Sequence, residues 1–311
     1  MGLTPIVLSF AIVSQSGVDT TVRDRFLKEY PGALAELEAR MSPVKGVARV
    51  FDSKNGNREG PGNPITFAVD GTRRKFEFSK KSGKGKDVQT FRSVYCMDDL
   101  KSFRLGAVGE APYRIEAIGL DPVAIAVFRT IFGKYVDAPR LNFGTALTGL
   151  MNNSDFQLNV AREIDTGHGR IVEVQFDEKS PGDRSSTYRV RLDPGIGWAI
   201  VESEHRLGSP SNKPETMEIE YPADLAGGRI FPSRIRSKRP DGKETICEFE
   251  QVEFAPTPEG EFRMEHYGLK DVTQYAPRRP SPIYGWLAWA GIVVALFAAS
   301  VTLKRASDRR R

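Results

Sequence analysis

Strict alternation of apolar and polar residues recurs along this chain and constrains its fold more than any other feature. In "STYRVRLD" the apolar residues Tyr188, Val190 and Leu192 alternate with Arg189 and Arg191. The same pattern occurs in "ETMEIEY", "KFEFSK", "EVQFDE" and "EFRMEH". Such alternation is typical of antiparallel strands that bury one face, whereas parallel strands read as continuous apolar runs. Segments rich in glycine, proline and asparagine, such as "DSKNGNREGPGNP", "SPGDRSS" and "RPDGKE", separate the strands and predict turns.

Helical segments are expected to cover the apolar face of this sheet. Near the N-terminus Val22, Phe26 and Tyr30 recur at four-residue spacing until Pro31, which should break or kink the helix. A second helix is predicted from Asp121, and a shorter one in "GTALTGLMNN". The fold class is therefore α+β: a curled antiparallel sheet, an incomplete β-barrel of about ten strands, with helices on its concave face. The apolar stripe of the second helix, a candidate lid, consists of Val123, Val127, Phe128, Ile131 and Phe132.

An uncharged segment near the C-terminus has the length of a membrane span. Residues 283–303 contain no charged side chain, and a bilayer-spanning helix needs roughly 20 apolar residues. Residues 304–311 then carry five cations, against Arg278 and Arg279 before the segment. Because positive charge stays cytoplasmic, we predict a single-pass transmembrane helix with the large domain outside and a cytoplasmic basic tail. The alternative is a buried helix of a soluble domain.

The N-terminus resembles a signal peptide. An apolar run from Leu3 to Val13 precedes Ser14 and Ser16, which stand at the −3 and −1 positions of a cleavage site before Gly17. No Lys or Arg precedes the run, so a first β-strand is the alternative. The predicted organisation is a signal peptide (1–16), a periplasmic domain (17–274), a linker (275–282), a transmembrane helix (283–303) and a basic tail (304–311).

Charge and cysteine content exclude some functions. The net charge is +5, of which the tail provides +4 through five cations and Asp308. The domain itself is nearly neutral, which argues against nucleic-acid binding. Cys96 and Cys247 could pair in an oxidising compartment, but nothing in the pattern makes their strands neighbours, so we expect two separate buried thiols.

No motif of known catalytic or metal-binding spacing is present in the sequence. The three histidines have no partner at metal-ligand spacing, and there is no HExxH, CxxC or G-x-S-x-G. Glu202 and Glu204 alternate on a predicted strand and fit a solvated face, and His205 beside them is expected at the surface or an edge. The segment "DTGHGR" predicts a glycine-rich turn. We therefore expect neither an enzyme nor a bound metal or cofactor.

Three segments together resemble a known family. They are "YRVRLDPGIGWAIVESE", "IEYPADLAGGRIFPSRIR" and "FRMEHYGL". Over roughly residues 19–270 the chain resembles the LolA/LolB-like lipoprotein-carrier superfamily, and it is most similar to anchored members with "LDPxxGW" and "GGxxFPxxI". The resemblance implies an incomplete barrel whose concave face holds lipid or acyl chains under a helical lid. A tethered chain departs from soluble carriers, so a receptor, sensor or membrane-maintenance role fits better than ferrying.

The expected function is a membrane-anchored, extracytoplasmic, non-enzymatic protein that binds lipid or the acyl chains of lipoproteins. One alternative is a protein-interaction or sensor module with a dry core and an envelope protein partner. An enzyme acting on envelope lipid or glycan is a third. Strand alternation alone selects the candidate apolar lining of the pocket: Phe67, Val69, Phe76, Phe78, Val174, Phe176, Val190, Leu192 and Met264.

Overall fold

The computed structural model describes residues 18–54, 57–82, 88–98, 101–119, 128–129, 131–143, 145–152, 156–167, 169–180, 184–208, 212–224 and 226–270. All of these belong to one compact unit, Met1–Lys270. The predicted signal peptide, linker, transmembrane helix and basic tail (residues 1–16, 275–282, 283–303 and 304–311) lie outside these ranges. None of the helices within the ranges combines the length and the apolar character that crossing a bilayer requires.

A single antiparallel sheet dominates the fold. Its thirteen strands follow the spatial order β6-β5-β4-β3-β2-β1-β15-β14-β13-β12-β11-β10-β9, and every neighbouring pair is antiparallel. Strands β6 and β9 end the sheet, which is open. The antiparallel prediction is confirmed, with more strands than the expected ten or so. The sheet strands are β1 (Val44–Lys54), β2 (Asn57–Asp70), β3 (Arg73–Ser82), β4 (Gln89–Met97), β5 (Ser102–Val108), β6 (Arg114–Gly119), β9 (Gln157–Asp165), β10 (Arg170–Ser180), β11 (Arg184–Asp193), β12 (Ala199–Leu207), β13 (Glu215–Glu220), β14 (Arg234–Lys238) and β15 (Lys243–Glu253).

The segment "DSKNGNREGPGNP" differs from its prediction as a turn, because most of it lies in β1 and β2. Asp52 of β1 pairs with Glu59 of β2, and β1 is also held by β15 on its other side. The glycines serve a bulge instead: the register shifts after Val50, and Gly60 and Gly62 both adopt φ of +76°. Pairing on both sides of β1 thus outweighs the local turn preference.

The first helix, α1 (Thr20–Met41), does not break at Pro31 as predicted. The side chain of Asp19 caps it by accepting hydrogen bonds from the backbone N of Thr21 at 2.9 Å and of Val22 at 3.3 Å. Pro31 is exposed, and so is Leu27, whose carbonyl loses its helical partner to the proline. Water can solvate that carbonyl, so the helix continues across the proline.

The buried side of α1 lies on the inner face of the sheet, where Phe26, Tyr30 and Leu37 are almost fully buried. The ring of Phe26 is 6.0 Å from that of Trp198, which enters the core directly after the "LDPGIG" turn. Asp193 organises that turn by accepting a hydrogen bond from the N of Gly195 at 2.8 Å. The middle of the chain adds a small hairpin of β7 (Leu141–Asn142) and β8 (Thr145–Ala146) and the short helix α2 (Leu147–Met151), which was also predicted.

The C-terminal end of the domain covers the outer face of the sheet and is not a strand. The predicted strand "EFRMEH" instead forms two 3₁₀ turns, Glu259–Phe262 and Met264–Tyr267. Lys75 of β3 contacts Glu261 at 2.5 Å, and the Tyr267 hydroxyl donates to Glu77 at 3.1 Å. The C-terminal turns are thus attached to β3 by side-chain contacts and not by the backbone hydrogen bonds of a paired strand. Met264 is consequently buried outside the inner core.

Both cysteines are buried and free, as expected. Cys96 lies on β4 and Cys247 on β15, strands that are not neighbours in the sheet. Burial raises the pKa of each thiol above its ordinary value. Neither thiol is therefore primed as a nucleophile.

Packing of α1 on the sheet predicts a large stability effect. Phe26→Ala should lower the free energy of unfolding by about 3–5 kcal/mol, because it removes a buried ring and leaves a cavity. The matched variant Leu27→Ala changes an exposed neighbour and should cost under about 0.5 kcal/mol. Urea unfolding followed by circular dichroism measures both, and equal losses for the two variants would contradict this packing.

Candidate functional site

The residues predicted to line a pocket mostly fill the core. Phe76 stacks on Phe132 with ring centroids 5.0 Å apart, and Phe67 stacks on Phe231 at 5.2 Å. Phe78 is half-buried, and Met264 lies beneath the C-terminal turns on the outer face. The remaining members of the set are buried in the inner core: Val69, Val174, Phe176, Val190 and Leu192.

Three residues of the predicted lid pack against the core on the inner face of the sheet. Phe128 packs edge-on against Tyr95 at 6.1 Å, Phe132 is fully buried, and Ile131 is partly buried against the core. Val123 and Val127 lie outside the described residues. The segment therefore packs against the inner face of β3 and β4 at its described positions.

An open cavity lies beside this filled core, beneath the C-terminal half of α1. Its volume is about 660 Å³, within the range of small-molecule sites. The tip of the β2–β3 hairpin and the segment 137–146 complete its walls. Val69 is the member of the predicted lining that borders it. Its other apolar wall residues include Ala35, Ala39, Met41, Pro43, Met97 and Leu141.

Three buried charged residues form one wall of this cavity. Arg74 donates from Nε to both carboxylate oxygens of Asp137, at 2.9 and 3.0 Å. Arg140 donates from Nη2 to Asp137 Oδ1 at 2.5 Å. Arg74 is 4% exposed, Asp137 is 1% exposed and Arg140 is 8% exposed. Arg140 also pairs with Glu38 of α1, whose side chain is 53% exposed.

Local structure fixes these side chains. Arg74 shares the inward face of β3 with Phe76 and donates from Nη1 to the carbonyl of Gly71 at 2.5 Å. Asp137 and Arg140 lie in a turn in which the Asp137 N bonds the Phe132 carbonyl at 3.1 Å. None of the sequence patterns predicted this group of charged residues. The only local signal was an acid and an arginine three residues apart in "VDAPR".

The electrostatics of the group follow from burial and pairing. Burial alone would raise the pKa of Asp137, but Arg74 and Arg140 outweigh it and lower that pKa. Burial lowers the pKa of Arg74, and Asp137 opposes the shift. Two buried cations therefore share one buried carboxylate, and Glu38 supplies the second negative charge from an exposed position.

A second cavity of about 480 Å³ adjoins His205, which the sequence placed at the surface or an edge. His205 is not at an edge, because β12 is an internal strand of the sheet. Its ring is half-buried and stacks on Tyr188 with ring centroids 4.6 Å apart. Burial lowers the pKa of His205. Within the described ranges its buried Nε2 has no partner, and no group of three metal-ligating side chains occurs.

Glu202 and Glu204 lie on a polar face, as predicted. Glu202 pairs with Arg191 at 2.5 Å, and Glu204 pairs with Arg189 at the same distance. Arg191 also contacts Glu173 at 2.9 Å, which extends the network to β10. The carboxylates are thus engaged in cross-strand ion pairs.

Removing the shared carboxylate should destabilise the fold. Asp137→Asn removes the buried negative charge that the two buried guanidinium groups share, and we expect a loss of about 3–5 kcal/mol in the free energy of unfolding. Asp24→Asn, on the exposed face of α1, is the control and should change little. Chemical unfolding measures both, and a loss below about 1 kcal/mol for Asp137→Asn would contradict the assigned pairing.

The lowered pKa of Asp137 also predicts a pH dependence. A carboxyl group whose pKa is lower in the folded state stabilises the fold above its ordinary value of 3.8 and loses that contribution as the pH falls below it. Unfolding measured between neutral pH and this acidic range should show the wild-type protein losing more stability than Asp137→Asn does. If the stabilities of the wild-type protein and of Asp137→Asn fall in parallel with pH, then Asp137 has the same pKa in the folded and unfolded states, which would contradict the prediction.

Comparisons with known proteins give similarities to solved structures at low sequence identity. No family model and no curated protein matches the chain. An outer membrane lipoprotein-sorting protein domain from Vibrio parahaemolyticus is 10% identical, with a TM-score of 0.45 over 76% of this chain and 97% of that one. A DUF1329 family protein from Desulfovibrio piger is 11% identical, with a TM-score of 0.42 over 77% and 99%. MucB is 11% identical, with a TM-score of 0.22 over 79% and 63%. All three TM-scores lie below 0.5, so these similarities carry no argument about fold, family or ligand.

Proposed function

We propose that this chain is an extracytoplasmic, membrane-anchored protein that binds lipid or lipoprotein acyl chains and catalyses no reaction. The observation that carries the proposal is the cavity beneath α1. Met41, Val69 and Met97 give it an apolar wall next to the core, and its volume of about 660 Å³ suits a ligand of lipid size.

The position of the cavity supports access for an acyl chain. Ala35 and Ala39 of α1 border it from an exposed helix surface. An apolar chain that enters beside them meets the methionine side chains Met41 and Met97, which are flexible and adapt to ligands of different shape. The core behind the cavity needs no rearrangement.

The anchoring part of the proposal rests on the sequence of residues 283–303 and on the cations that follow. A tether keeps the domain near one membrane surface. A binding site so placed suits a receptor or sensor for lipids of that membrane better than a carrier between membranes.

A protein-interaction module is the second candidate, and the filled core favours it. The ring of Phe76 stacks on that of Phe132, and the ring of Phe67 stacks on that of Phe231. These stacked rings leave no space for a ligand between them. In that case the cavity would contain only solvent.

Photo-crosslinking separates the two candidates. The full chain, held in a peptidisc without detergent or added lipid, is irradiated with a palmitate analogue that carries a diazirine on its chain. Labelled peptides should contain Met41, Val69 or Met97, because these residues line the cavity. Labels confined to residues 283–303 would overturn the proposal and favour the interaction module.

A variant that fills the cavity provides the matched control. Ala35→Trp should reduce labelling of the cavity peptides at least several-fold, because the indole occupies the space beneath α1. Glu36→Trp adds the same ring at the next, exposed position of α1, which does not border the cavity, and should leave the labelling unchanged.

A further inference from the structure

The cavity beneath α1 has a charged wall that the apolar ligand alone does not explain. Arg74 and Arg140 are both buried there, and Asp137 is the buried carboxylate between them. Guanidinium groups are costly to bury and are the preferred partners of carboxylate and phosphate groups. The wall is therefore suited to an anion.

The donors of the two arginines are only partly used inside the fold. Arg74 directs Nε to Asp137 and Nη1 to the carbonyls of Gly71 and Arg73. Its Nη2 has no hydrogen-bond partner among the residues that the structure describes. Arg140 directs Nε and Nη2 to Asp137, which leaves Nη1 for Glu38.

Glu38 differs from Asp137 in how firmly it is held. Asp137 is 1% exposed and is fixed in a turn, whereas the side chain of Glu38 is 53% exposed at the surface of α1. An ion pair with an exposed partner contributes little stability, so another carboxylate or a phosphate can replace Glu38 at a small cost. Asp137 cannot be replaced in this way.

The other charged residues around the cavity are exposed or already engaged. Asp70 pairs with Arg73 at 3.1 Å, and Asp98 accepts a hydrogen bond from the N of Lys101 at 2.7 Å. Arg129 is exposed and adds a cation to the wall. Among these charged residues, Glu38 on Arg140 is therefore the partner that a ligand anion can replace.

We propose that this wall recognises the acidic headgroup of the bound lipid, and that the headgroup takes the place of Glu38 on Arg140. The inference rests on the proposed acyl-chain function and names the ligand class: a single acyl chain with an anionic carboxylate or phosphate. The apolar wall of Met41, Val69 and Met97 holds the chain. Binding of the headgroup then breaks the ion pair between Glu38 and Arg140.

Competition against the diazirine palmitate analogue on the full chain in peptidiscs tests this. Laurate and dodecyl phosphate should displace the label from the cavity peptides, and methyl laurate, with the same chain and no charge, should be at least about tenfold weaker. The stronger of the two acids identifies carboxylate or phosphate as the natural headgroup. Equal displacement by methyl laurate and laurate would overturn the inference while leaving the proposed function in place, whereas absence of cavity label would overturn the proposed function itself.

Variants of the exchangeable pair give a second, opposite-signed test. Glu38→Gln removes the competing carboxylate and should strengthen displacement by laurate about two- to fivefold, with methyl laurate unchanged. Arg140→Gln should weaken displacement by laurate about tenfold or more. Glu36→Gln, the same change on an exposed position of α1, is the control and should match the wild-type protein. Because Glu38 is exposed, its variant should fold even if Arg140→Gln does not, and an unchanged or weaker laurate affinity for Glu38→Gln would contradict the exchange.

Discussion

The packing of α1 across the inner face of the sheet is the contact on which the rest of the structure depends. An open antiparallel sheet has one apolar face to cover, and α1 covers it with Phe26, Tyr30 and Leu37. Arg25 at its start pairs with Glu163 of the end strand β9 at 2.5 Å. Near its other end the Arg40 carbonyl accepts from the N of Ile230, before β14. The helix therefore joins distant parts of one sheet.

The same helix creates the candidate site. Its N-terminal half lies on filled core, where aromatic rings contact Trp198. Its C-terminal half instead spans the cavity that Arg74, Asp137 and Arg140 border. A filled core and an open cavity thus lie side by side beneath one helix. The wall of the cavity combines apolar side chains such as Met41 and Met97 with the buried charges of Arg74, Asp137 and Arg140.

The sequence by itself determined that the sheet is antiparallel and where some of its turns lie. Alternation in segments such as Arg184–Asp193 specifies which face is buried, because strand side chains have a period of two. The turn in "LDPGIGW" likewise depends on local residues, because the Asp193 side chain accepts a hydrogen bond from the N of Gly195 and Gly197 adopts a left-handed backbone conformation. Local chemistry of this kind needs no knowledge of distant residues.

Only the tertiary structure decided the number of strands, the two 3₁₀ turns on the outer face and the charged wall of the cavity. Pairing with β15 turned a glycine-rich segment into parts of β1 and β2, and contact with Lys75 held Glu261 in a 3₁₀ turn. Arg74 and Asp137 are 63 residues apart in sequence, yet form one buried ion pair. No local pattern marks such a pair, because its energy depends on burial and on the orientation of elements that meet only in the folded chain.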